Sequence, residues 1–109
     1  MHISITGRHY EVPQAMRAYA VQKLERLTRF SDKLDESHLI LWPERFQIMA
    51  EITVHTKHFR AVGKAQAPQA QAAFNLALAK VQGLLRRHKE RVAEHPHRRE
   101  PRERRVVSE

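Results

Sequence analysis

Eight histidines and a surplus of cations are the residues here with chemistry to offer. Histidine first suggests metal ligation. His55 and His58 form one close pair, and His95 and His97 form another. A stable zinc site draws on three or four converging ligands, oriented by outer hydrogen bonds. Neither pair brings an evident third ligand, so no metal site is expected. His88 falls in the middle of an apolar helical stripe and reads as a half-buried packing residue. The chain has no cysteine, which removes thiolate metal sites, disulfides and a cysteine nucleophile together. It also lacks a Gly-rich phosphate loop, a GxSxG elbow and an HExxH helix. Glu44 and Glu51 are the nearest approach to an acid/base pair, but carboxylates on turns and strand surfaces are usually just solvated. Neither catalysis nor a small-molecule substrate or cofactor is expected.

The cations are more informative. Twenty Lys and Arg face twelve Asp and Glu, giving a net charge of +8 and a pI near 10.6. Half of the basic residues lie from Lys80 onward. Such a balance attracts a phosphate backbone through a salt-sensitive interaction that is blind to sequence. With helical spacing, Lys80, Arg87 and Arg91 fall in a strip about 40° wide beside the apolar stripe, with Arg86 and Lys89 on the other flank. On an earlier helix Arg26, Arg29 and Lys33 lie within about 60° of one another, and Lys23 sits near the apolar edge. Any one of these could merely solvate a helix. As a set they have little acidic compensation, since Glu90 is the only acid between Val81 and Arg91. Two such helices side by side would present paired basic ridges, where Lys and Arg reach phosphates and Arg also stacks on bases. Aromatic residues add little to this. Phe46, Phe59 and Phe74 occupy inward positions, and Tyr19 and Phe30 belong to a helix stripe. Only Trp42 and Tyr10 remain, with Trp42 expected to pack at a sheet edge, so binding should rest on charge and RNA shape rather than on stacking.

The elements that must position these residues follow from periodicity. His2 to Thr6 alternates, with Ile3 and Ile5 on one face, and reads as a strand ended by Gly7. Pro13 opens a helix over about residues 13–30, with Met16, Tyr19, Ala20, Leu24, Leu27 and Phe30 as its apolar stripe. Leu39 to Trp42 reads as a second strand stopped by Pro43. Phe46, Ile48, Ala50, Ile52 and Val54 form the inward face of a third. Phe59, Ala61, Gly63 and Ala65 form that of a fourth, their small size inviting close approach by a helix. The last helix covers about residues 68–92, with Gly83 inside it at a cost of ~1 kcal/mol relative to Ala. The order β-α-β-β-β-α predicts a two-layer α+β sandwich, with β1 and β2 parallel and both helices on one face of a four-stranded sheet. Residues 1–94 form the domain. Residues 95–109 are charged, interrupted by proline and without an apolar face, and are expected to be a basic disordered tail. No apolar run approaches the ~20 residues that span a bilayer, and the N-terminus has no leader pattern, so a cytoplasmic protein without membrane partners is expected.

The opening Ile3-Ser4-Ile5-Thr6-Gly7-Arg8, then Glu11-Val12 and Lys23-Leu24 with Leu27, resembles the ribosome hibernation-promoting factor and ribosome-associated inhibitor family. So does the second helix, with Ala72-Ala73-Phe74-Asn75, Lys80-Val81, Leu85 and the run Arg87-His88-Lys89-Glu90-Arg91. The resemblance covers about residues 1–94. It implies a double-stranded-RNA-binding-like fold and binding to the small ribosomal subunit and its rRNA within the whole ribosome. The place would be the channel used by mRNA and tRNA, and the result inhibited translation in stationary phase or stress. It carries the rRNA-facing positions onto Lys23, Lys80, Arg87, Lys89 and Arg91, while Arg26, Arg29 and Arg86 join them from helical geometry. Gln69 and Gln71 stand where the family usually has an acid and an aromatic, Asn75 where it has aspartate, and Gly83 where it often has a basic residue. The chain ends about fifteen residues past the helix, which matches a short form, expected to be monomeric when free. The alternatives are a general double-stranded-RNA binder or constitutive ribosomal protein, and a regulator working through protein contacts.

Overall fold

The computed structural model describes residues 1–29, 34–57, 59–94 and 104–108, with the backbone path alone from Glu90 onward. Phe30, Lys33, His58, His95 and His97, together with residues 95–103 of the expected tail, lie outside the described residues. The elements run β1 (His2–Gly7), α1 (Gln14–Glu25), a 3-10 turn (Arg26–Arg29), β2 (Leu34–Glu44), β3 (Gln47–Thr56), β4 (Phe59–Ala67), α2 (Ala70–Glu94) and β5 (Arg104–Ser108). No described helix is long and apolar enough to cross a membrane.

The four expected strands lie side by side in the order β1-β2-β3-β4, the first pair parallel and the next two antiparallel. Inward residues of the sheet and the stripes of both helices form one core. Leu24, Leu27, Leu39, Leu41, Ile52, Val54, Phe59, Phe74 and Val81 are fully buried there. Each such side chain contributes on the order of 1.5–3 kcal/mol by leaving water. The small inward residues of β4 act as the alternation implied. A Cβ on Gly63 would stand 2.5 Å from the Ala77 carbonyl oxygen and 2.8 Å from Val81 Cγ2, so α2 packs directly on the β4 backbone. Gly7 is needed for a similar reason, because a Cβ there would collide with the carbonyl of Tyr10 where the chain turns after β1.

Four expectations change. First, β2 begins at Leu34, not Leu39, and continues through Pro43. The run Asp35-Glu36-Ser37-His38 looks like a loop by composition, but pairing with β1 on one side and β3 on the other holds it extended. Pro43 lies beyond the last pair with β1, Gly7 with Leu41, where one side of β2 is already an edge. Second, Phe46 does not face the core. It is 95 % exposed. Glu44 and Gln47 are the last pair of the β2–β3 hairpin, so Arg45 and Phe46 are its turn, with Arg45 in the left-handed region at φ 57°. Third, α1 ends at Glu25 and the chain tightens into the 3-10 turn, which still buries Leu27. Fourth, the expected disordered tail contains a strand. β5 pairs in parallel with β4 and makes the sheet five-stranded. Its ladder uses backbone groups that β4 presents at its open edge, so it needs no apolar face of its own.

Candidate nucleic-acid interface

The two helices meet through a polar contact at their common surface. Tyr19 of α1 donates its hydroxyl to Asn75 Oδ1 of α2 at 2.8 Å. The same ring packs edge-on against Phe74, with centroids 5.9 Å apart and planes at 72°. Lys23, one turn along α1, holds its ammonium 5.5 Å from the Tyr19 ring centre. Its stem lies along the protein while the charge stays at the surface.

Beyond this contact the helices part into an open cleft of about 430 Å³. Lys23, Arg26 and Arg29 line it from the α1 side; Asn75, Leu78 and Gln82 line it from α2. The 3-10 turn matters because it carries Arg26 and Arg29 to the mouth of the cleft while Leu27 anchors the segment in the core. Ammonium and guanidinium groups facing side-chain amides are suited to a phosphate and an adjoining sugar or base edge. Asn75, Gln82 and Lys89 follow one another at seven-residue steps, so they share one flank of α2. Exposed Arg86 belongs to that flank as well.

Lys80, Arg87 and Arg91 occupy the opposite flank, toward β4. Lys80 is half-buried and donates from Nζ to the Lys64 carbonyl at 2.7 Å. Arg87 is exposed, with its guanidinium beside Gly83. Arg91 is placed by the helix backbone alone. The fold therefore brings Lys23, Arg26 and Arg29 to the flank of Arg86 and Lys89, and puts Lys80, Arg87 and Arg91 on a separate strip. Within the described residues no ion pair joins Lys23, Arg26, Arg29, Lys80, Arg86, Arg87 or Lys89 to a carboxylate.

Sequence reasoning overlooked Asn75 and Gln82 as cleft residues, although their seven-residue spacing to Lys89 was the available signal. It also overlooked a cationic group on the other face of the sheet. The Arg8 guanidinium lies 4.4 Å from the centre of the Trp42 ring, and Lys64 Nζ is 5.9 Å away. Trp42 donates from Nε1 to Glu44 Oε2 at 3.3 Å, so the ring is held by contacts within the protein. His88 packs as expected, stacked on Phe59 with centroids 4.0 Å apart.

Comparison with known proteins adds to this geometry. Residues 3–93 match the model of the family described as sigma 54 modulation protein / S30EA ribosomal protein. The chain belongs to this family. A Pseudomonas putida protein named ribosome hibernation promoting factor is 31% identical over 91 residues, covering 84% of this chain and 89% of the relative. One of the same name from Azotobacter vinelandii is 30% identical over 94 residues, covering 86% and 88%. The S30EA fold is shared too. A ribosomal subunit interface protein from Coxiella burnetii superposes with a TM-score of 0.78 at 21% identity, over 83% of this chain and 99% of that one. The N-terminal domain of Thermus thermophilus Protein Y gives 0.73 at 26%, over 81% and 99%.

Proposed function

We propose that this protein is a ribosome hibernation factor. It binds the small ribosomal subunit in the mRNA and tRNA channel and inhibits translation under stress or in stationary phase. It works in the cytoplasm, as a monomer when free, and has no catalytic step. The observation that carries the reading is the cleft between the helices. Three cations, without a described acidic partner, face amide side chains on a shape fixed by a rigid core. That arrangement suits a folded RNA strand, whose phosphates meet the cations while its sugar hydroxyls and base edges meet the amides. The names of the Pseudomonas and Azotobacter relatives support the same reading.

Lys23, Arg26 and Arg29 make the rRNA contacts at the cleft, Arg86 and Lys89 make those farther along the same flank of α2, and Lys80, Arg87 and Arg91 make those of the second strip. The test is co-sedimentation of the purified protein with purified small subunits at rising salt, with an arbitrary RNA duplex as competitor. Saturable binding that the duplex does not displace supports hibernation. Equal affinity for the duplex would instead favour a general double-stranded-RNA binder, and no binding at low ionic strength would overturn both.

A further inference from the structure

The sheet face turned away from the helices carries a second cluster of reactive side chains. On β2, Glu36 and His38 are two residues apart and so project to the same side. Their neighbours Ser37 and Leu39 point into the core. On β3, His55 stands directly opposite Glu36 in the ladder. The register shifts between Leu34 and Glu36, and such an irregularity re-aims the side chains beside it. Glu36 Oε2 and His38 Nε2 are 3.1 Å apart, and the donor atoms of Glu36, His38 and His55 all lie within 4.8 Å of one another. The two imidazoles stand edge to face, 5.9 Å between centroids at 85°.

We propose that Glu36, His38 and His55 form a binding site for a divalent transition ion, with zinc the ion best suited to two imidazoles and one carboxylate. Tetrahedral bonds of ~2.0–2.2 Å place zinc ligands ~3.3 Å from each other. The Glu36–His38 separation of 3.1 Å already meets that, and the His55 donor lies within 4.8 Å of both. An ion pair accounts for Glu36 and His38 but gives no reason for a second imidazole across the ladder. His2 of β1 is the ladder partner of Glu36 on that side, so an imidazole or a water can fill the fourth position. The ion would clamp β2 to β3 at the end of the sheet remote from the hairpin turn. This site lies on the opposite sheet face from the helices, so it does not depend on ribosome binding.

The test uses the full-length free protein, titrated with zinc chloride in competition with a chromophoric chelator. One zinc per chain is expected. His38→Ala and His55→Ala should each weaken binding by roughly 100-fold, the upper end of what loss of a merely supporting partner costs. A double variant, His95→Ala with His97→Ala, should bind as the parent does. Magnesium, which seeks oxygen ligands, should not compete. Imidazole NMR signals of His38 and His55 should shift together on zinc addition to the unaltered protein, which keeps the proposal testable should a variant misfold. Absence of stoichiometric binding, binding indifferent to His38 and His55, or binding lost only with His95 and His97 would each overturn it.

Discussion

A buried hydroxyl shows how much one residue can decide. Ser37 is fully buried on the core face of β2, and its Oγ has no hydrogen-bond partner among the described residues. Leaving such a group unsatisfied costs about 1–3 kcal/mol. Ser37→Ala should therefore raise stability by ~1 kcal/mol, seen as a rise of several degrees in the melting temperature. Its neighbour Glu36 contributes in the opposite sense. Its carboxyl is pulled below the ordinary value of 4.5, first by the His38 hydrogen bond. The stabilisation is complete above that value and is lost as pH falls through the lower folded-state one. Thermal melts from neutral to acid pH should show a small gap between the protein and its Glu36→Gln variant that closes in acid. A gap that widens would refute the sign. Neither residue drew notice in the sequence, because the Asp35 to His38 run is polar and only its neighbours make it a strand. Phe46 failed for a related reason. Alternation extrapolates through a hairpin turn that no Gly or Asn announces.

At the scale of elements, α2 runs unbroken through Gly83. A Cβ there would meet only the Arg87 guanidinium at 3.6 Å. Gly83→Ala should stabilise the protein by about 1 kcal/mol in denaturant unfolding, since it removes backbone freedom without a clash. The same helix divides the cations. Replacing Lys23, Arg26 and Arg29 together by Ala should flatten the log–log salt dependence of small-subunit binding by ~0.7–0.9 for each phosphate no longer neutralised. Replacing Lys80, Arg87 and Arg91 should flatten it less, because the Lys80 ammonium already serves the Lys64 carbonyl. Equal slopes for both triple variants would show that the strip over β4 matters as much as the cleft. Helical spacing alone found both strips. It could not tell which one faces α1, because that depends on how α2 is rotated on the sheet.

For the whole molecule, the edge of β4 is the exposed point of the architecture. β5 covers it with main-chain bonds, while the buried apolar residues among those whose side chains are described run from Met16 to Leu85. Deleting residues 104–109 should leave the core folded, with amide dispersion retained in the NMR spectrum. It should also open an unpaired strand edge that promotes self-association, visible as concentration-dependent sedimentation. A truncated protein with collapsed dispersion would show that the tail strand is part of the folding unit.

Periodicity and charge in the chain were enough to determine the order of the elements from β1 to α2, the single-faced core and the basic helices. Each depends on interactions between residues close in sequence, or on which face of one element is apolar. Tertiary structure alone decided the extension of β2, the pairing of β5, the cleft that joins Lys23, Arg26 and Arg29 to Asn75 and Gln82, and the meeting of Glu36 and His38 with His55. These arise between elements, from backbone ladders and helix rotation, and a one-dimensional pattern carries no record of which distant segments will share an edge.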